Sequence, residues 1–144
     1  MKTSIAIVGS GPAGLMCAWV IGQDPRFHVV VYEKNPSLGR KILVAGSSGL
    51  NVSHDLPLSA MAATYEGTFS ALTWNELLEN FSQKDWHHWI ENLGFETYVG
   101  TSKRTFIREK KASTFLKKWK QSLEKLGVEF QLGQTVRKLS ELSD

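Results

Sequence analysis

The chain has 144 residues, 42% of them hydrophobic and 22% charged, with a net charge of +3. Such a composition excludes a disordered or fibrous chain and fits one ordinary globular domain, and so mild a charge does not by itself call for a nucleic-acid partner. Cys17 is the one cysteine, which excludes an internal disulfide and fits a reducing, cytoplasmic setting.

Residues 3–23 carry no charge. A signal peptide or membrane span would be most apolar at its centre, yet Gly9, Ser10, Gly11, Pro12 and Gly14 stand there. A different reading explains them. Residues 4–8 form a short apolar strand that runs into Gly9-Ser10-Gly11-Pro12-Ala13-Gly14, a G-x-G-x-x-G turn. A helix follows over residues 15–21, then an apolar strand over 28–32 that ends on Glu33. In this order Gly9 permits the tight turn, Gly11 lets backbone approach a pyrophosphate, and Gly14 lets the helix lie close to the sheet. The helix N-terminus offers unpaired N–H groups to phosphate. Glu33 follows Gly14 by 19 residues, the spacing at which an acid accepts hydrogen bonds from a ribose. An acid here rather than an arginine favours FAD or NAD over NADP.

Residues 34–60 read as a long Gly- and Ser-rich segment with a short apolar piece at Ile42-Leu43-Val44, and loops of that length tend to be functional. Thr73 with Glu76 suggests a capping box for a helix over 74–81, and Ser82 with Asp85 another for a helix over 83–93 that stops at Gly94. Residues 95–99 and 105–107 are strand candidates. A helix over 112–126 places Phe115, Leu116, Trp119, Leu123 and Leu126 on one face and ends at Gly127. Val128, Phe130 and Leu132 alternate as a half-buried strand, and residues 135–139 are a last strand candidate.

Several residues have plainer readings. Nine of the 17 Lys and Arg lie between residues 103 and 125, but an amphipathic helix with a solvated basic face explains them better than RNA binding does. His87 and His88 are adjacent and point apart, so no metal site is expected. Trp74, Trp86, Trp89 and Trp119 read as packing residues and Cys17 as a buried small hydrophobe. Gly46-Ser47-Ser48-Gly49 lacks the length and context of a serine-hydrolase elbow.

The run Glu33-Lys34-Asn35-Pro36-Ser37-Leu38-Gly39-Arg40-Lys41, followed by Gly46-Ser47-Ser48-Gly49-Leu50-Asn51, resembles the BaiN/YhiN-type NAD(P)/FAD-dependent oxidoreductases. Leu93-Gly94-Phe95-Glu96-Thr97-Tyr98-Val99-Gly100 and Lys111-Ala112-Ser113 are similar to one subgroup. The resemblance implies a Rossmann-like, three-layer α/β flavoprotein fold that binds FAD, with NAD(P)H as reductant. It implies that Gly9, Gly11, Pro12, Ala13 and Gly14 face the pyrophosphate and that Glu33 holds the adenosine ribose beside Lys34. Gly39, Arg40 and Lys41 would follow the phosphate and ribose path. Gly46, Gly49 and Asn51 would lie nearer the flavin, and Val136, on a late strand, would meet the adenine.

Many family members carry Gly-Gly-Gly-Arg-Cys-Asn in the flavin loop, and Gly46 to Asn51 here has neither Arg nor Cys, which argues against thiol chemistry. Family members are also much longer. The resemblance therefore implies an incomplete, N-terminal portion of an FAD-binding domain. Residues 1–54 would supply the βαβ unit and Gly-rich loops, 73–126 a helical segment and 128–139 the late strands. The rest of the protein would be its partner, and the chain alone would retain flavin weakly. No catalytic residue, metal ligand, membrane contact or nucleic-acid contact is assigned. The expected function is the FAD-binding region of a flavoprotein oxidoreductase, with a non-catalytic nucleotide-binding module as the alternative.

Overall fold

Thr3–Val8 (β1) and Phe27–Glu33 (β2) lie in parallel, in register from Thr3 opposite Phe27 to Val8 opposite Tyr32. Parallel neighbours need a crossover, and Pro12–Gly22 (α1) supplies it. Glu129–Leu132 (β6) pairs in parallel with the other side of β2, giving the order β1-β2-β6. The computed structural model describes residues 1–46, 49–67, 70–108, 111–138 and 140. It divides into two compact units, one of Met1–Ser47 with Lys111–Asp144 and one of Ser48–Lys110.

In the first unit β2 is central and buries Val29, Val31 and Glu33 on alternate positions. Ala112–Lys125 (α6) is amphipathic. It buries Phe115, Leu116, Trp119 and Leu123 at helical spacing, and Phe115 meets Trp119 edge to face at 5.6 Å between ring centroids. Each such side chain contributes about 1.5–3 kcal/mol when fully buried. Lys120 of the outer face pairs with Glu124 and lies over the Phe130 ring. Arg40–Ala45 (α2) is a short helix that buries Ile42. Parallel strands joined through a helix make this a Rossmann-like α/β fold.

The second unit holds Asn51–His54 (β3), Leu58–Ala62 (α3), Ala71–Asn80 (α4), Gln83–Asn92 (α5), Thr97–Val99 (β4) and Arg104–Ile107 (β5). Its sheet is antiparallel, in the order β3-β5-β4. Leu50, Ala62, Trp89, Ile90, Phe95 and Ile107 are buried in it. The Ser82–Asp85 capping box forms with both reciprocal hydrogen bonds. Trp86 stacks on Trp89 and donates its indole N–H to the Val52 carbonyl at 3.1 Å.

Several expectations are corrected. Residues 34–60 are not one loop: α2 and β3 lie within them and α3 begins there. The first is too short to show a period, and β3 exists through pairing with the distant β5. α4 starts before Trp74, because Ser70 takes the extended cap conformation and its hydroxyl accepts from the Thr73 N–H at 3.2 Å. β4 starts at Thr97, since the Phe95 N–H instead closes the end of α5 on the Ile90 carbonyl. Residues 135–138 form no strand, and Leu139 lies outside the described residues. Gly133 has a φ of +71° and turns the chain across the end of β2. There the Gly133 N–H bonds the Asn35 carbonyl and the Gln134 N–H the Glu33 carbonyl. Leu126 and Leu132 are exposed. Cys17 is exposed too, because α1, apolar on every side, buries only Leu15 and Ala18.

Candidate functional site

The C-terminal ends of β1 and β2 lie side by side, and the chain leaves β1 through the glycine turn. The Gly9 N–H extends the ladder by donating to the Tyr32 carbonyl at 2.8 Å, and the φ of +99° at Gly9 is one that residues with a Cβ rarely adopt. Gly11 caps α1 in an extended conformation, and the first bond of the helix runs from the Leu15 N–H to the Gly11 carbonyl. The Ala13 and Gly14 amides thus precede the hydrogen-bond ladder, Pro12 has no N–H, and no acid in the first turn offsets the positive end of the helix. A Cβ on Gly14 would lie 2.1 Å from the Gly9 carbonyl oxygen, so only glycine lets α1 approach the turn so closely.

Above this junction lies a cavity of about 650 Å³. Val8, Gly9, Ser10 and Gly11 form one wall, and Tyr32, Glu33, Lys34 and Asn35 another. Arg40, Lys41, Val44 and Ala45 of α2 and Gln134, Thr135 and Val136 after β6 complete the lining. A Cβ added at Gly11 would meet nothing within 4 Å, so the backbone there is open to a close approach. Val8 and Val44 are 57% and 68% exposed and both face this space, an apolar surface of the kind that lines ligand sites.

Glu33 anchors the site and is only 8% exposed. Its Oε2 accepts the Ser10 N–H at 3.0 Å and the Ser10 hydroxyl at 2.5 Å. Its Oε1 accepts the Asn35 N–H at 2.9 Å and the Asn35 side-chain amide at 2.6 Å. Burial pushes this carboxyl up, but the Ser10 and Asn35 hydrogen bonds together outweigh burial and bring it from 4.5 down to about 2. The buried Ser10 hydroxyl also accepts the Gly39 N–H at 3.1 Å, tying the start of α2 to the turn.

Of the residues expected at a site, the cavity brings together Gly9, Gly11, Glu33, Lys34, Arg40, Lys41 and Val136. Val136 arrives on a loop rather than a strand. Pro12 and Ala13 are exposed at the head of α1 and Gly14 is packed under the turn. Gly39 is turned inward with a φ of +60°, and a Cβ there would lie 2.7 Å from Leu116. Gly46 is buried at the end of α2, while Gly49 and Asn51 belong to the second unit. Sequence reasoning missed Ser10 and Asn35 as working residues. Ser10 occupied a variable position of the motif, and only its span to Glu33 in three dimensions shows its part. Among the described residues there is no group of His, Cys, Asp and Glu suited to a metal ion. Among the described residues no helix is long and apolar enough to cross a membrane.

Residues 3–144 match the family model described as the HI0933-like protein Rossmann domain. Among solved structures, THI4 of Thermovibrio ammonificans is similar at 17% identity and a TM-score of 0.54, covering 94% of this chain and 43% of that one. The 3-ketosteroid-Δ4-(5α)-dehydrogenase of Rhodococcus jostii RHA1 is similar at 14% identity and a TM-score of 0.62, covering 95% of this chain and 39% of that one. At such identities the likeness is one of fold, and the chain spans less than half the length of either protein. No curated protein sequence matches the chain.

Proposed function

The chain belongs to the HI0933-like protein family through its Rossmann domain, and from that premise we propose that the cavity beyond β1 and β2 binds the ADP portion of FAD in a flavoprotein oxidoreductase. The observation that carries this reading is that an open glycine backbone at Gly9 and Gly11 and an ionised Glu33 share one cavity. The residues fit the group. The free amides at the head of α1 and the Arg40 and Lys41 cations suit a pyrophosphate, Glu33 suits ribose hydroxyls, and Val8, Val44 and Val136 offer apolar surface to an adenine. Pro12, Ala13 and Gly14 shape the turn, Gly39 ties the start of α2 to it through Ser10, and Gly46, Gly49 and Asn51 are assigned to the flavin end. When bound, FAD supplies hydride-transfer chemistry, with NAD(P)H or a substrate as donor; the chain's own residues bind and orient it. The name of one structural neighbour, a dehydrogenase, agrees with redox work. The outer edge of β1 pairs with no strand among the described residues, and this reading assigns it a strand from the remaining portion of the same protein.

The second reading is a nucleotide-binding module without chemistry of its own, which would use the same cavity. Calorimetric titration with ADP and FAD tests the site itself. Gly11→Val should abolish binding of both and Lys117→Glu should not, whereas wild-type affinity in Gly11→Val would sink the assignment. Binding of added FAD, bleached by NAD(P)H, supports the oxidoreductase; ADP binding with no binding of added FAD supports the module. RNA binding through the α6 lysines would instead weaken steeply with salt and fall in Lys117→Glu.

A further inference from the structure

We propose that the Asn35 side-chain amide is a built-in competitor for the ribose hydroxyls at Glu33, and that a ribonucleotide binds by displacing it. This rests on the reading that the cavity takes an ADP-like ligand. A carboxylate has about four acceptor positions, and in Glu33 four donors already fill them. A ribose diol that donates to Glu33 must therefore replace a donor already there.

Three of the four are fixed. The Ser10 and Asn35 N–H groups are main chain. The Asn35 backbone is further tied by its carbonyl, which accepts the Gly133 N–H at 3.1 Å. The Ser10 hydroxyl is fully buried and pinned from its other side by the Gly39 N–H. The Asn35 amide differs on each count. It is half-buried, stands on a side chain that rotates without moving the backbone, and lines the cavity the ligand would enter. Its bond to Oε1, at 2.6 Å, is the one a hydroxyl can take over.

Asn35 thereby sets how much affinity the ribose hydroxyls contribute. In the wild-type protein the diol gains contacts to Glu33 but breaks one to Asn35; in Asn35→Ala it meets a carboxylate with a vacant position. Titration of both proteins with ADP and with 2′,3′-dideoxy-ADP reads this directly. The affinity ratio of ADP over the dideoxy compound should widen in Asn35→Ala on the order of five-fold, the scale of one net hydrogen bond. Asn35→Gly, which keeps the backbone N–H, serves if the alanine variant does not fold. In the wild-type protein the Asn35 side-chain amide NMR signal, identified by its absence in the variant, should move on adding ADP and stay on adding the dideoxy compound. An unchanged ratio, or an amide signal that ADP leaves in place, overturns the competition while leaving the site standing. Failure of both proteins to bind ADP overturns the site and the competition together.

Discussion

The Ser10 hydroxyl donates a 2.5 Å hydrogen bond to the Glu33 carboxylate across 23 residues of chain, so the turn that leaves β1 and the acid that ends β2 are held as one piece. Four donors converge on that carboxylate, and its low pKa follows from them.

Stability should therefore fall with acid in a window set by Glu33. Its pKa is about 2 in the folded protein and 4.5 without these contacts. A lowered folded pKa contributes stability that is fully present above 4.5 and lost as pH falls through that value towards 2. The amount is on the order of 3 kcal/mol. Urea unfolding of wild type and Glu33→Gln at pH 7 and at pH 3 measures it. The gap between the two proteins should be large at pH 7 and cut to roughly half at pH 3, and a constant gap would refute the linkage.

Ser10→Ala removes a donor to a buried carboxylate and leaves the buried Gly39 N–H without its acceptor. The loss should be about 3 kcal/mol, measured by denaturant unfolding. A readout particular to this network is the Glu33 carboxyl 13C shift, whose titration midpoint should rise in the variant.

Gly11 and Gly14 should respond in opposite ways to alanine. The Gly14→Ala methyl would fall 2.1 Å from the Gly9 carbonyl oxygen, so the turn must shift, at a cost of about 1–3 kcal/mol. Gly11→Ala enters open space from an unstrained backbone conformation, and stability should stay within about 0.5 kcal/mol of wild type. ADP binding should weaken sharply in Gly11→Ala none the less. Equal melting temperatures for the two variants would contradict this contrast.

Ser82→Ala should destabilise the second unit by about 1 kcal/mol, since it breaks the capping box of α5. Amide hydrogen exchange checks it: the Asp85 N–H, which donates to the Ser82 hydroxyl at 3.3 Å, should exchange faster, with amides of the first unit unaffected.

What the sequence disclosed was whatever local chemistry determines. The β1-turn-α1-β2 order was legible because each step has its own signal, down to the glycines and the terminal Glu33. The α6 face was legible from the spacing of Phe115, Trp119 and Leu123, and the α5 cap from Ser82 and Asp85. The misses were non-local. β3 is a strand because β5 lies beside it, and nothing near Asn51 says so. Residues 135–136 look strand-like, yet hydrogen bonds from Gly133 and Gln134 to Asn35 and Glu33 draw them out of the sheet and onto the site. Thr73 with Glu76 has the spacing of a capping box, yet the cap of α4 is Ser70. Cys17 reads as a buried small hydrophobe, but it lies on an exposed side of α1.

The cavity wall is drawn from three stretches of chain, around residues 8–11, 32–45 and 134–136. During synthesis the first two leave the ribosome early, carrying the whole glycine motif with them. The third is the last to be translated of the segments that matter here. A nascent chain halted before Gln134 would thus display the motif but lack one wall of the cavity. The complete lining thus exists only once synthesis has passed Val136.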